Sequence, residues 1–536
     1  MTHADSSGLQ RGTDKLRERG EACASAWRVR VAVFLVSAAT IGLELSLIRS
    51  LSLRFWHHFA FMVISVGLLG FGTSGTALTF VRRRVARNRA AWLGGACFAF
   101  AVSVPLVLRL GRSVPLNVQF LPWNVSGELI HVVFLELLLL VPFFFAGAAV
   151  GIVLTDAPRR VSGHYAANLV GSGVGALGSV LLMWGLRVQP LIELMAVVGL
   201  LSGFFLVPWR RARGVVTGVV ATGLFSGALH LAPDEPALSQ YKQLSQLRSM
   251  PDVTTLHRAH GPLGRIDVVR GPGIHYAPGL SLQYTDEVPD HALIVTDGDQ
   301  VSPVYDVTVR EGWRFLDFTT SALPYHLRRE ADVAVVGAGG GSDIGLARFH
   351  GAGSVVGLEV NPQVIAAMKG PLRDCGGRVY TAENVRVLQR EARGFFTASA
   401  RRFDIIQLPA VISFGASGAG LYAAQESYLY TVESLQSMVD DLTDDGLLCI
   451  TGWTRDPPRD AVRMFNMARA VLSARGLAPE KHLAMIRSWV TATIVVSKRP
   501  LTDTDTEHIR GFCNPRSFDL CYLPDMRADE ANRYHV

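Results

Sequence analysis

Three glycines stand between an apolar run and a helix-like segment in the stretch VVGAGGGSDIG. Gly337, Gly339 and Gly341 form a GxGxG pattern that follows the predicted strand ADVAVVG and precedes the predicted helix SDIGLARFH. Glycines at such a turn carry no side chain that would keep a ligand away from the backbone amides or from the N-terminus of the helix. The pattern therefore predicts a nucleotide-type binding turn.

A carboxylate stands 22 residues beyond Gly337, at Glu359, where the second predicted strand, GSVVGLEV, ends. A carboxylate there can accept hydrogen bonds from both hydroxyls of a ribose. NAD-binding folds contain similar turns, so the turn alone does not choose between ligands. However, Ser342 occupies the place of the last glycine of GxGxxG, and the chain closes with a strand pair, after Gly446 and around Val495, rather than with a second mononucleotide-binding half. Both features favour an S-adenosyl sulfonium ligand over a dinucleotide.

Two further carboxylates are candidates for ligand contacts. Asp343 lies in the first turn of the helix after the glycines, where the helix dipole favours a negative charge and where a ligand would be close. Glu391, in the segment QREARGFF, is placed to reach the amino group of an adenine. A solvated carboxylate at a helix start explains Glu391 almost as well, so both interpretations stay open.

The elements that must position these residues alternate between strand and helix from Ala331 onward, which predicts a parallel, doubly wound sheet. Further strand-like runs follow in FDIIQL, GLLCITGW and TATIVVSK. Residues 262–305 instead show short alternating runs with turn signals, typical of a small antiparallel β region. We expect a linker and this β region over 232–330, a Rossmann-like α/β domain over 331–500, and a partly ordered acidic tail over 501–536.

The stretch from about Gly261 to Trp453 resembles the spermidine synthase (polyamine aminopropyltransferase) superfamily. The matching pieces, in chain order, are TDGDQ with Gln300, GAGGG, LEVNP with Glu359, FDIIQL, and LYTVESL with Tyr430. The whole chain resembles the bacterial membrane-fused members, through text such as WHHFAFMVISVGLLGFGTSG. The resemblance implies an S-adenosylmethionine-dependent methyltransferase fold of the spermidine synthase type. It also implies that Gln300 and Glu359 contact S-adenosylmethionine or its decarboxylated form as cosubstrate.

One departure from the family pattern concerns the catalytic acid. In aminopropyltransferases the strand that matches FDIIQL ends in an aspartate, which holds and deprotonates the attacking amine. Here Gln407 stands in its place, and the following LPAVISFGASGAG contains no acid. A glutamine cannot act as a base, and an amine stays protonated near neutral pH without one. The sequence therefore argues against true polyamine synthesis, while the sulfonium site is retained.

Gln407 and Tyr430 are the predicted catalytic positions. Tyr422 and Ser427 are further hydroxyls near the expected mouth of the pocket, although a structural role is the commoner explanation for each hydroxyl. The gatekeeping Tyr-His-Glu stretch of the family is replaced by Phe315, Leu316 and Asp317 in a loose alignment.

The overall composition points to a membrane protein. The 536 residues are 49% hydrophobic and only 18% charged, whereas ordinary soluble domains carry roughly 25% charged residues. Residues 1–231 hold 21 Lys and Arg against 9 Asp and Glu, and residues 232–536 hold 31 against 36. The net charge of +7 therefore comes from the first part alone. Because the second part has no basic stripe, we expect no nucleic-acid partner.

Apolar runs of the length that crosses a bilayer, roughly 17–25 residues, fill the first part. They lie near 31–51, 58–81, 91–110, 129–154, 164–186, 190–208 and 214–231. Arginines cluster after the second, fourth and sixth runs and in residues 1–30, which places these parts in the cytoplasm. Seven crossings would leave the second half outside the cell. Since 214–231 is short and rich in Gly, Ser and Thr, we expect it to be interfacial or re-entrant, giving six crossings.

Ionisable side chains within these runs are functional candidates because burying them in lipid is costly. Glu44, Glu136 and Glu193 are the carboxylates concerned, and pairing with another helix is the commoner explanation for each. The small residues of GSGVGALGS, from Gly171 to Ser179, predict close helix packing.

We expect a multi-pass protein of the cell inner membrane whose cytoplasmic C-terminal domain is a transferase acting on a small-molecule or lipid acceptor. A homo-oligomer is compatible with this prediction. No metal site is expected, because the six cysteines form no CxxC pair and the histidines lack ligand spacing. One alternative is an S-adenosylmethionine-dependent methyltransferase acting on a lipid or another hydrophobic molecule. A second is a transporter or sensor whose α/β domain binds a nucleoside for regulation, which the carboxylates in the apolar runs would suit.

Overall fold

The computed structural model describes residues 5–55, 58–117, 123–155, 158–207, 212–230, 238–409, 429–454 and 458–530. The chain forms two compact units. The first consists mainly of residues up to Ser239 and the second mainly of residues from Gln240 onward.

The first unit is helical, as the apolar runs predicted. Its helices are α1 (Asp5–Arg54), α2 (His58–Arg87), α3 (Arg89–Arg112), α4 (Val125–Leu154), α5 (Pro158–Leu182), α6 (Val188–Phe204) and α7 (Ala212–His230). Within the described residues, five helical stretches are long and apolar enough to cross a membrane: Ala26–Arg54, Met62–Arg87, Arg89–Arg112, Val125–Leu154 and Val161–Leu182. The apolar parts of α6 and α7 are shorter. Helix α7 runs without a break over 19 residues, so it lacks the chain reversal of a re-entrant segment.

Small residues let α5 approach α1 closely. A β-carbon on Gly171 would lie 2.3 Å from the carbonyl oxygen of Phe34, and one on Gly175 would lie 2.2 Å from that of Ala38. The predicted close helix packing is therefore observed at Gly171 and Gly175, whereas Gly173 and Gly178 face open space.

Several large apolar side chains of this unit face outward. Leu68 is 73% exposed, Phe80 84% and Ile130 68%. An exposed apolar surface of this kind suits contact with lipid rather than with water.

The acidic side chains of this unit have different surroundings. Glu193 Oε1 accepts a hydrogen bond from Gln189 Nε2 at 3.1 Å, within the same helix. Glu44 and Glu136 are half-buried. Glu128 lies in the first turn of α4, and its Oε2 accepts the backbone N–H of Asn117 at 2.8 Å.

The second unit begins with a short helix and a small antiparallel sheet. These elements are α8 (Gln243–Ser249), β1 (Thr254–Gly261), β2 (Gly264–Arg270), β3 (His291–Thr296) and β4 (Gln300–Tyr305). The strands lie in the order β1-β2-β3-β4, and β3 pairs with β4 from His291↔Tyr305 to Thr296↔Gln300. The predicted β region is confirmed, and its first strand begins somewhat earlier than expected.

A second, eight-stranded sheet forms the centre of this unit. Its strands are β5 (Asp332–Val336), β6 (Ser354–Glu359), β7 (Val385–Gln389), β8 (Phe403–Leu408), β9 (Leu442–Trp453), β10 (Leu483–Arg487), β11 (Thr491–Ser497) and β12 (Asp519–Tyr522). The helices between them are α9 (Leu323–Leu327), α10 (Ser342–Phe349), α11 (Pro362–Lys369), α12 (Ala392–Ala398), α13 (Val432–Asp440), α14 (Arg459–Ala474), α15 (Pro479–His482) and α16 (Asp503–Cys513).

The strand order is β12-β10-β11-β9-β8-β5-β6-β7. Strands β5 to β9 are parallel to one another, whereas β11 runs antiparallel to β9 and to β10. From β5 the chain first builds outward through β6 and β7, then returns to the other side of β5 for β8 and β9. Ligands of such sheets bind at the carboxyl ends of the strands beside this reversal. The Rossmann-like, methyltransferase-type fold expected from the sequence is thereby confirmed.

Apolar layers cover both faces of this sheet. Val333 and Val335 of β5 pack in one layer, together with Ile344 of α10, and Ala334 and Val336 pack in the other. This alternation follows from the period of two residues along a strand.

The segment 501–530 is more regular than the expected tail. Helix α16 begins with a capping box, in which Thr502 and Asp505 each bond the other's backbone N–H. Strand β12 then joins the edge of the large sheet by pairing with β10. The described part of the segment therefore completes the α/β fold rather than lying outside it.

Candidate functional site

The glycine turn after β5 has a backbone that only glycine adopts easily. Gly337, Gly339 and Gly341 have φ angles of 74°, 50° and 87°, in the left-handed region. Gly340 is required for a different reason: a β-carbon there would lie 1.9 Å from the carbonyl oxygen of Pro303. Gly341 is the N-cap of α10, so the turn brings the helix N-terminus to the carboxyl end of the sheet.

Two side chains that the sequence did not single out hold this turn. Ser302 Oγ, from β4, accepts the backbone N–H of Gly340 at 2.7 Å. The hydroxyl of Tyr380 donates to the carbonyl oxygen of Gly339 at 2.6 Å. Neither residue stands in a recognisable motif, so the sequence offered no signal for them. Gln300, predicted as a ligand contact, is exposed and lies on the same face of β4 as Ser302, because residues two apart on a strand share a face.

Glu359 is the last residue of β6 and lies against the turn. Its Oε2 accepts the backbone N–H of Gly339 at 3.0 Å, and its Oε1 accepts that of Asn361 at 2.8 Å. The side chain is 8% exposed, and burial raises its pKa above the ordinary value. Each carboxylate oxygen can accept a second hydrogen bond. The structure therefore brings the predicted ribose acceptor to the glycine turn.

Asp343 and Gln407, which are 64 residues apart in sequence, are hydrogen-bonded to each other. Gln407 Nε2 donates to Asp343 Oδ1 at 2.8 Å and to the carbonyl oxygen of Ser321 at 3.2 Å. Burial raises the pKa of Asp343 to about 6. Gln407 is fully buried, in parallel register with Val335 of β5. A carboxylate therefore lies beside the position where the family pattern places one, although it comes from another element.

Two buried polar atoms near this pair have no hydrogen-bond partner among the described residues. They are Oε1 of Gln407 and the hydroxyl of Tyr325. Burial raises the pKa of Tyr325 well above its ordinary value, and the negative charge of Asp343 raises it further. Buried polar groups are normally hydrogen-bonded, so these atoms suit the recognition of a polar ligand group.

Glu391 caps a helix. It is the exposed N-cap of α12, and its two oxygens accept the backbone N–H groups of Arg393 at 2.9 Å and Gly394 at 2.7 Å. This arrangement matches the interpretation of Glu391 as a carboxylate at a helix start. Its contact with adenine stays a prediction.

Tyr430 is 7% exposed and packs in the apolar layer that contains Ile406 and Ile450. Gln407 faces the other layer, since it is two residues from Ile405 on the same strand. The two predicted catalytic side chains therefore lie on opposite faces of the sheet. Burial raises the pKa of Tyr430 to about 12, and its catalytic role stays a prediction. Tyr422 and Ser427 lie outside the described residues.

The stretch expected to replace the family's gatekeeper is part of the domain interior. Phe315 and Leu316 are buried in the core. Asp317 is bonded to His326 and to Arg516. This stretch therefore supports the fold around the site.

Comparison with known proteins gives fold neighbours only. No protein-family model matches the chain, and no curated protein matches it. A spermidine synthase from Thermotoga maritima is 17% identical, with a TM-score of 0.33, and the match covers 49% of this chain and 79% of that one. A probable spermidine synthase from Corynebacterium glutamicum is 11% identical, with a TM-score of 0.33 and coverage of 50% and 87%. Human methyltransferase-like protein 13, solved in complex with SAH, is 14% identical, with a TM-score of 0.26 and coverage of 37% and 90%. At these identities the likeness concerns the fold alone.

Proposed function

We propose that the protein is a membrane-anchored transferase that uses S-adenosylmethionine or decarboxylated S-adenosylmethionine. The observation that carries the proposal is the pairing of Glu359 with the backbone N–H of Gly339 beside the helix N-terminus. This pairing places a buried carboxylate next to the glycine turn, at the carboxyl ends of the parallel strands β5 and β6. The ribose hydroxyls of an adenosyl ligand would bond to Glu359, with the rest of the ligand directed along the turn.

The transfer step needs only alignment and a proton acceptor. A nucleophile on the acceptor attacks a carbon bonded to the sulfonium sulfur, the carbon–sulfur bond breaks, and its electron pair stays on the sulfur as a neutral thioether. The proton of the nucleophile passes to the carboxylate of Asp343. Gln407 holds this carboxylate by donating from Nε2, and it cannot itself take the proton. Positioning of this kind supplies much of the rate of a bimolecular reaction.

The acceptor is a nucleophile with a proton to lose, such as an amine or a hydroxyl. Oε1 of Gln407 and the hydroxyl of Tyr325 are available to bind it, since both lack a partner among the described residues. A membrane anchor would bring the enzyme to an apolar or lipid acceptor. It would equally hold at the membrane an enzyme that acts on a small molecule. Methyl transfer is the second candidate function, because the same site would serve either group.

We place the helical unit in the inner membrane and the α/β domain in the cytoplasm. The five long apolar helices support the membrane placement. The cytoplasmic placement rests on the arginine clusters at the ends of the helices. Because α7 is a continuous helix, six crossings require it to lie along the interface.

The by-product identifies the reaction. The full-length protein in detergent is incubated with S-adenosylmethionine or with its decarboxylated form, together with a lipid extract or a mixture of small amines, and the nucleoside products are analysed by mass spectrometry. Methylthioadenosine indicates aminopropyl-type transfer, and S-adenosylhomocysteine indicates methyl transfer. If both cosubstrates bind and neither is consumed, the transferase proposal is wrong and the sensor alternative is favoured. If neither binds, the proposed cosubstrate class is wrong.

A further inference from the structure

Three potential metal ligands meet on one side of the α/β domain. Asp317 lies in the short helical segment Arg310–Phe318, His326 in α9, and His350 at the C-cap of α10. One carboxylate oxygen and two imidazole nitrogens of these residues lie within 4.8 Å of one another. His326 follows Asp317 by 9 positions, and His350 follows His326 by 24. These three residues therefore form no motif of closely spaced cysteines and histidines.

The two imidazoles converge on a single oxygen. Nε2 of His326 lies 2.6 Å from Asp317 Oδ1, and Nε2 of His350 lies 2.9 Å from the same atom. The His350 nitrogen is buried, yet it forms no aligned hydrogen bond with any described residue. Because buried polar atoms normally have a bonding partner, this nitrogen is suited to bind a cation.

Aromatic rings fix the orientation of both imidazoles. His350 stacks on Tyr325 with ring centroids 5.2 Å apart and an interplanar angle of 11°. His326 packs against Phe512 of α16 at 4.8 Å. Rigid imidazoles lose little conformational entropy when they bind an ion.

Arg516 holds the other side of the carboxylate. Its Nη2 lies 2.5 Å from Asp317 Oδ2, and its Nε donates to the Asp317 carbonyl oxygen at 2.8 Å. One carboxylate oxygen of Asp317 is therefore bound by Arg516, and the other is directed at the two imidazoles. Outer partners of this kind orient metal-binding carboxylates in known sites.

We propose that Asp317 Oδ1, His326 Nε2 and His350 Nε2 bind one divalent transition-metal ion of the zinc type. Imidazole and carboxylate ligands lie about 2.0–2.2 Å from zinc. Tetrahedral geometry then separates ligand atoms by roughly 3.3 Å, so Nε2 of His350 must move about 0.4 Å and Nε2 of His326 about 0.7 Å away from Oδ1. Each imidazole binds as the neutral form with its proton on Nδ1, and water completes the coordination.

The ion would fix the far end of a functionally important helix. Helix α10 begins at the glycine turn, carries Asp343 in its first turn and ends at His350. A metal bound at His350 would join this end to α9 and to the segment that holds Asp317. The proposed role is structural and does not depend on the proposed transferase activity.

The test uses the full-length protein in detergent after removal of metal. Zinc is titrated by calorimetry into the wild type and into His326→Gln and His350→Gln, which keep an amide donor near Asp317. We expect one zinc per chain in the wild type and binding weaker by about tenfold or more in each variant, since even loss of an outer partner costs 10- to 100-fold. His508→Gln, an exposed position on α16, is the matched control and should bind zinc as the wild type does.

Cobalt(II) provides a second measurement that does not depend on the variants. The wild type should give the intense visible absorption of a cobalt ion with imidazole ligands in low-coordinate geometry, and zinc should abolish it. Zinc should also raise the unfolding temperature of the wild type and not that of His350→Gln. Absence of the cobalt spectrum in folded wild-type protein, or equal zinc affinity in wild type and His350→Gln, would overturn the proposal.

Discussion

Gln407 Nε2 donates a hydrogen bond to Asp343 Oδ1 over 2.8 Å, and this bond links the end of β8 to the first turn of α10. The amide thus stands at the position where the resemblance noted in the sequence implied an acid, and a carboxylate from the neighbouring helix lies beside it. In the proposed transfer the two residues act together: the uncharged amide orients the carboxylate, and the carboxylate takes the proton.

The pH dependence of transfer should follow Asp343. Its pKa of about 6 means that the base is present above this pH and is lost as the pH falls below it. The transfer rate at saturating cosubstrate should therefore rise through about pH 6 and then level off. Asp343→Asn should lower the rate by about 100-fold or more and remove this dependence, while cosubstrate binding changes little. Asp444→Asn, at an exposed position, serves as the control; a full rate in Asp343→Asn contradicts the assignment.

Replacement of Gln407 by leucine should move the pH profile rather than abolish the reaction. The amide lowers the pKa of Asp343 by donating to its charged form. Without this donor the buried carboxyl group should titrate at higher pH, so the rise in rate should shift upward. Gln246→Leu, on the exposed side of α8, should leave the profile in place. An unshifted profile in Gln407→Leu would show that the hydrogen bond does not tune Asp343.

Glu359→Gln should weaken binding of S-adenosylmethionine about 10- to 100-fold, since hydrogen bonds to a charged group are worth about 1.5–3 kcal/mol. The substitution keeps the shape of the side chain but removes the charge that would accept the ribose hydroxyls. Calorimetry on the full-length protein measures the effect, with Glu383→Gln, at an exposed position before β7, as the control. Unchanged affinity in Glu359→Gln means that the ribose lies elsewhere.

Asp505→Ala should destabilise the α/β domain by about 3 kcal/mol at neutral pH. Burial alone would raise the pKa of Asp505, but hydrogen bonds from Arg499 and Thr502 lower it overall. A group with a lowered pKa in the folded state contributes stability above its unfolded pKa, near 3.9. This contribution is lost as the pH falls further. Hydrogen exchange of the β10 amides should therefore show a difference between Asp505→Ala and wild type that shrinks below about pH 4.

The exposed Asp503 provides the matched control for this measurement. Asp503→Ala should change stability by no more than about 0.5 kcal/mol. Equal effects of the two substitutions would remove the special role given to Asp505.

The membrane orientation predicts which positions an impermeant thiol reagent can reach. Arg83 follows the second apolar run, Trp123 lies between the third and fourth apolar runs, and Trp489 belongs to the α/β domain; all three are exposed. In inside-out vesicles, Arg83→Cys and Trp489→Cys should each be labelled more than the wild type, whose native cysteines give the background signal. Trp123→Cys should react in right-side-out vesicles. Labelling of Trp489→Cys in right-side-out vesicles would contradict the proposed cytoplasmic placement of the α/β domain.

The glycine turn and Glu359 could be predicted from sequence because their chemistry depends on local spacing. A strand, a turn and a helix follow one another directly in the chain, and the next parallel strand ends beside the same turn. The apolar runs of the first unit were equally readable, since helix length and composition are local properties.

The pairing of Asp343 with Gln407 could not be predicted in the same way. It depends on β8 lying next to β5 with Val335 opposite Gln407. The order of strands across a sheet cannot be predicted from the local pattern of residues along each strand. For Tyr430, a motif identified the position but not the face of the sheet to which the side chain turns. Helix α16 was missed because its charged residues suggested a solvated tail, whereas Ile509 and Phe512 are buried.

The steric restriction at Gly340 affects how a glycine at this position can be interpreted in other proteins of this fold. A side chain at this position is excluded by the main-chain oxygen of Pro303, which belongs to the small sheet and would remain whatever the ligand. A glycine at this position is therefore accounted for by the packing of the two sheets, and its presence is not by itself a sign that a ligand is bound there. Conversely, a domain of this fold without the small sheet would lack this particular exclusion of a β-carbon.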